Sequence, residues 1–366
     1  MKTIVRFTGV KIQAVLFALV LVVIGCRPTT TDVATGPYAT GVFIVNEGNF
    51  NSGDGKISYI ERLGTPNSVI PDVFGVVNGR PLGDVVQSMT RGANNIYIVV
   101  NNSNKVEVVD PLNFTSRATI TGFNLPRYAL SVSASKLYVT EWLPYSPSFT
   151  PSGPGRVSII NQDNNTRTGT ITVGQWPERM IQIGNNVYVA NRFDNTVSVI
   201  NTQTDQVTAT ITVGQGPNSF ALDNNGSLWV LCGGRINFGN PSASIAGALV
   251  QINPNTNGVV RTIPITPNTL NPRNLIANPE GTVFYFMGGG GLFQYNVAAG
   301  AGTFGRIYGN GNLYGIGYEP SSRLLFIGVS GSPRFDNDGY VIRWSTLTQT
   351  IADSFGVKVG PSSFLF

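Results

Sequence analysis

The chain has 366 residues, 12% of them charged and 42% hydrophobic, with 43 Gly, 22 Pro and a formal charge of +5. Histidine is absent, which excludes Ser-His-Asp and Cys-His nucleophiles, histidine-ligated metal centres and a C-x-x-C-H haem attachment. Low charge with many aromatics argues against disorder, and the expectation is a non-enzymatic protein with no catalytic residues, no metal and no cofactor.

The chain opens "MKTIVRFTGVKIQAVLFALVLVVIGC", a basic start followed by an apolar run from Ile12 to Ile24 and small residues before a cysteine. The run is short for a membrane span and reads as an export signal. Val23-Ile24-Gly25-Cys26 resembles the lipobox of bacterial lipoproteins. That resemblance implies a signal peptide over residues 1–25, lipidation of Cys26, and contact with the outer membrane through a lipid anchor only, on the cell surface or the periplasmic face. Residues 26–40 carry neither pattern nor bulk and read as a tether. Three of the 24 cations and none of the 19 acids lie in the signal, so its removal brings the charge from +5 to +2. No basic block remains to attract nucleic acid. Cys232 is then the only cysteine besides Cys26, which excludes an intramolecular disulfide and suits a small buried side chain.

From Gly41 to Phe366 short alternating apolar runs are separated by Gly, Asn, Pro and Asp, which reads as all-β. A unit recurs: an apolar strand after Pro, a turn, a strand such as "LYVTE" or "VYVAN", a strand ending Ile-Asn, a polar turn, and a Thr-rich strand. Seven second strands follow the pattern: Val42 to Val45, Ile96 to Val100, Leu137 to Thr140, Val187 to Ala190, Leu228 to Leu231, Val283 to Met287 and Leu324 to Val329. Four strands in roughly 40 to 50 residues, repeated seven times, predict a seven-bladed β-propeller. The first unit lacks an innermost strand, while the terminal "GPSSFLF" aligns with the innermost strand "GPNSFAL" at Gly216 to Leu222. The C-terminal strand is therefore expected to complete the first blade, covering Phe364 and Phe366 and removing an open edge.

"YVANRFDNTVSVINTQTDQVTATITVGQGPNSF" (Tyr188 to Phe220) resembles the YVTN-type propeller repeat. "FIVNEGNFNSGDGKISYI" and "VNGRPLGDVVQSM" resemble the opening blade of propeller lipoproteins from the Bacteroidetes, some of which capture cobalamin at the cell surface for a TonB-dependent outer-membrane transporter. The resemblance implies a lipid-anchored capture protein for a corrinoid or another large polar small molecule, with such a transporter as partner.

In a propeller the loops between second and third strands open on the same face as those leading into each innermost strand. Here they offer Arg80, Arg127, Tyr128, Trp142, Trp176, Arg179, Arg192, Phe193, Arg235, Arg273, Asn274, Tyr314 and Arg334. Trp, Tyr and Phe can stack flat apolar surface, Asn can bond amides, and Arg can fork against phosphate or carboxylate. Two other classes stay open. A lactonase-like propeller hydrolase would use carboxylates on this face, drawn from Glu47, Glu141 and Glu178, and a divalent cation. An envelope scaffold would present a flat apolar patch. "RFDNDG" (Arg334 to Gly339) lacks the spacing of a calcium loop, and "GGGG" (Gly288 to Gly291) lacks the Lys-Ser/Thr and helix of a phosphate cradle.

Overall fold

Strands that are apolar on both faces can be satisfied only when sheets cover them on either side, and that requirement organises the chain. The computed structural model describes Met1 and residues 36–62, 65–143, 150–299, 304–309, 311–332 and 336–366. The export signal, Cys26, the tether as far as Thr35, and Arg334 lie outside the described residues. No helix among the described residues is long and apolar enough to cross a membrane.

Six four-stranded antiparallel sheets and one of three strands form seven blades. The innermost strands of blades 2 to 7 are Val86–Arg91, Pro126–Ser131, Pro177–Ile183, Pro217–Leu222, Arg273–Ala277 and Leu313–Glu319. Each contacts the next, and Pro361–Leu365 touches both the first and the last of them, closing a ring. The terminal strand pairs antiparallel with Gly41–Asn46, setting Phe364 opposite Ile44, and so belongs to blade 1 as the sequence predicts. Its rings pack on blade 7, with Phe364 and Phe366 at 5.7 and 5.3 Å from Phe326.

Burial follows a gradient across each blade. Second strands such as Ile96–Val100 and Leu228–Cys232 are wholly buried. Outermost strands such as Gln206–Thr212 are mostly exposed, which accounts for their Thr content. Among the described residues the core is divided among seven apolar clusters, each spanning two adjacent blades. Cys232 lies in one of them, where burial pushes its thiol up to about 12.

A polar latch also ties neighbouring blades. Tyr97, Tyr138 and Tyr188, from second strands, donate their hydroxyls to Asn165, Asp205 and Asn257, each in the outer hairpin of the following blade. All three acceptors have positive φ, near 55°, a conformation that Asn and Asp tolerate best among residues with a side chain. In these three repeats the Tyr thus has a partner in the next repeat's turn.

Blade 1 departs from the four-stranded expectation. Its fourth position is a single bridge between Tyr59 and Ile70, and the chain then forms a short helix, Val73–Asn78, that sequence periodicity did not indicate. Asp72 caps it by accepting from the Gly75 amide, Gly79 ends it in the left-handed region, and Val73 and Phe74 are buried beneath it.

Candidate ligand-binding site at the channel mouth

The site begins with a backbone device repeated around the ring. The residue before the innermost strand has positive φ in five blades, Val85, Leu125, Trp176, Gly216 and Gly360, and in blade 6 Asn271, two residues before Arg273, has it too. Pro follows in five of these. Directly afterwards the pairing with the second strand slips in every blade. Gln87, Arg127, Glu178, Asn218, Tyr314 and Ser362 fall at these bulges, while Arg273 is the last paired residue before its own. A bulged residue is freed from the ladder and its side chain re-aimed. All seven line one cavity of about 780 Å³ at the mouth of the channel.

The lining comes from every blade and includes four Arg (Arg127, Arg179, Arg192, Arg273), two Glu (Glu47, Glu178) and six Asn or Gln side chains. A hydrogen-bonded arc runs from blade 7 to blade 4. Tyr314 donates to Glu47, Gln87 Nε2 donates to the other Glu47 oxygen at 3.3 Å, and Arg127 donates to Gln87 Oε1. Arg127 also pairs with Glu178 at 3.2 Å, and Arg192 approaches that same carboxylate at 3.5 Å. Behind the arc, Arg127 lies 4.1 Å from the centre of the Trp142 ring. Trp142 stacks on Trp176 at 4.4 Å and 7°, and Phe193 meets Trp176 edge-on at 5.1 Å. Arg179 lies over Tyr128 at 4.6 Å.

Enclosure by the seven blades governs the protonation of these groups. Desolvation raises the pKa of Glu47 despite the Tyr314 hydrogen bond, and raises those of Tyr128 and Tyr314. Burial opposes the charge on Arg127, but Glu178, Tyr128 and Glu47 outweigh it and the guanidinium is held more firmly protonated. Arg273 is the reverse: burial lowers its pKa, Tyr314 offsets part of this, and nearby Arg192 adds to the depression.

The structure therefore gathers Arg127, Tyr128, Arg179, Arg192, Arg273, Asn274 and Tyr314 in the cavity, with Trp142, Trp176 and Phe193 as the aromatic stack behind it. Arg80 lies elsewhere, bound to Glu107 at 2.5 Å and to Ser116 at 3.0 Å. Arg235 is exposed on a loop whose backbone bridges to Ile245. Glu141 does not line the cavity; it is fully buried, paired with Arg156 at 2.7 Å and accepting from the Asn124 amide at 2.6 Å. Gly289 and Gly290, both with positive φ, form a tight hairpin and bring no side chain to the face. Sequence reasoning missed Gln87 and Ser362. Aligning the second residue of each innermost strand would have found both. No cluster of three acidic or Cys side chains that could hold a metal occurs among the described residues.

No curated protein matches the chain. Solved structures share its fold. The periplasmic gluconolactonase PpgL of Pseudomonas aeruginosa is 11% identical at a TM-score of 0.64, covering 89% of this chain and 99% of that one. A quinonprotein alcohol dehydrogenase-like protein from Bacteroides thetaiotaomicron is 12% identical at 0.64, covering 90% and 78%. The Kuenenia stuttgartiensis hydrazine synthase is 18% identical at 0.60, covering 78% and 92%. At these identities the likeness extends to the propeller and no further. The family profile of a domain of unknown function, DUF5074, matches residues 40–332, and the chain belongs to that family.

Proposed function

We propose that this propeller is a ligand-capture module, lipid-anchored through Cys26 to the outer membrane, that binds a large polar small molecule at the channel mouth and passes it to a TonB-dependent transporter. A corrinoid is the ligand proposed, by the resemblance of the opening blade to cobalamin-capturing lipoproteins. The observation that carries the reading is the cavity of about 780 Å³ lined from all seven blades by guanidinium, amide and phenol groups, a size typical of small-molecule sites. Exposed Phe50 adds apolar surface to its rim, suited to a broad ring whose periphery carries amides.

A second reading is a hydrolase of the kind seen in lactonase-like propellers. It is favoured by the presence of two carboxylates, Glu47 and Glu178, in one cavity, one of them raised in pKa by burial. Against it, both are engaged by Tyr314, Gln87 and Arg127. An envelope scaffold has less support, because the mouth is a polar concavity rather than a flat apolar patch.

Calorimetric titration with cyanocobalamin and with cobinamide tests the proposal. Saturable one-to-one binding of cyanocobalamin, weakened by Trp142→Ala, is expected. A folded protein that gives no heat with either compound removes the corrinoid. Hydrolysis of a lactone abolished by Glu178→Gln would favour the second reading.

A further inference from the structure

The charges in the cavity are unevenly matched. Four guanidinium groups face two carboxylates, and both carboxylates lie on the arc already described. Glu178 is occupied chiefly by Arg127, which reaches both of its oxygens at 3.2 and 3.3 Å. Glu47 receives Tyr314 and Gln87. On the blade 4 to blade 6 side the balance is missing. Arg179 stacks on Tyr128 and forms no ion pair with any described carboxylate. Arg273 donates to the Leu313 carbonyl at 2.8 Å and likewise meets no described carboxylate. Arg192 on the rim reaches the Glu178 oxygen that Arg127 already holds, at 3.5 Å, and lies 6.0 Å from the centre of the Trp142 ring. The neighbouring amides are already directed at backbone carbonyls. Asn218 gives its NH₂ to the Pro272 carbonyl at 3.1 Å, and Asn274 gives its own to the Tyr314 carbonyl at 3.4 Å.

A guanidinium withdrawn from water without a counter-charge is costly, and burial, with nearby Arg192, depresses the Arg273 pKa although Tyr314 offsets part of this. Arg179 and Arg273 have no described counter-charge, and half-exposed Arg192 shares Glu178 with Arg127, so the three around one void call for an anion that accepts from several directions. A carboxylate presents its lone pairs in one plane, whereas a tetrahedral phosphate offers oxygens in several directions.

We propose that Arg179, Arg192 and Arg273 form a phosphate subsite within the cavity, which receives a phosphate group carried by the captured molecule. This rests on the capture reading above and adds to it which side of the mouth the charged part of the ligand occupies.

Pyrophosphate is the probe, titrated calorimetrically into the full-length protein, and then used as a competitor in cyanocobalamin titrations at constant ionic strength. The expected result is saturable pyrophosphate binding that falls about tenfold or more in Arg179→Gln and in Arg273→Gln. It should persist in Arg323→Gln, which removes a surface charge paired with Glu280. Competition against cyanocobalamin is also expected. Thermal melts confirm that each variant folds, and the more exposed Arg192→Gln serves if Arg273→Gln does not. No pyrophosphate binding, or binding indifferent to these arginines, overturns the subsite. Cyanocobalamin binding that pyrophosphate leaves unchanged overturns the subsite while the capture reading stands. Arginine-dependent pyrophosphate binding by a protein that ignores cyanocobalamin supports the subsite and removes the corrinoid.

Discussion

Arg127 shows how one residue serves both fold and site. It joins Gln87 of blade 2 to Glu178 of blade 4 and lies on the face of Trp142, so it fixes the spacing of three blades while facing the cavity. Replacing it with Leu leaves Glu178 buried with only the longer contact to Arg192, and the expected cost is about 3 kcal/mol, read from urea unfolding. Glu47 makes an opposite prediction. Its carboxyl titrates above the ordinary 4.5 because burial disfavours the charge, so the folded state holds this proton more tightly than the unfolded chain. Its stabilising contribution is full below the unfolded pKa and is lost as pH rises through the folded one. Glu47→Gln should therefore gain stability relative to the parent as pH rises from 4.5 toward neutrality, checked by melting temperature against pH. A constant difference across that range would contradict this. At this scale much of the site was legible, because Arg127, Glu178, Asn218 and Arg273 each follow a Pro at a strand start. Gln87 follows a Val instead and carried no such marker. Arg80 misled because a loop arginine looks the same in sequence whether it faces a ligand or, as here, is bound by a buried Glu107.

At the scale of elements, the strands were readable because alternation and turn chemistry are local properties. The bulges that aim the site were not, since a slip in pairing depends on two strands at once. The tyrosine latches were likewise invisible as contacts, although the Tyr recurs at a fixed place in the repeat. They predict that Tyr188→Phe, which loses the 2.8 Å bond to Asn257, costs about 1 kcal/mol. The same change at Tyr138 should cost a similar amount, with Asp205 still held by Lys136 at 2.9 Å. Chemical denaturation of the two single variants checks both. The helix Val73–Asn78 escaped notice because six residues are too few to show a period; it is specified by its Asp72 and Gly79 caps.

For the whole molecule, the ring exists only if its last strand returns to its first. Pro361–Leu365 supplies the inner edge of blade 1 and its contacts with blades 2 and 7, so deleting residues 361–366 exposes two blade interfaces together. The loss should exceed about 4 kcal/mol, abolishing cooperative thermal unfolding. A truncated protein that melts like the parent would disprove the closure. Closure also brings side chains from seven distant segments to one mouth, where the proposed capture takes place. Hydrogen exchange followed with and without saturating cyanocobalamin tests that claim most directly. Protection confined to the innermost strand starts and adjoining loops, around 46–50, 126–128, 177–179 and 271–274, is the predicted result. Ligand-dependent protection on the opposite face, or none anywhere, would contradict it.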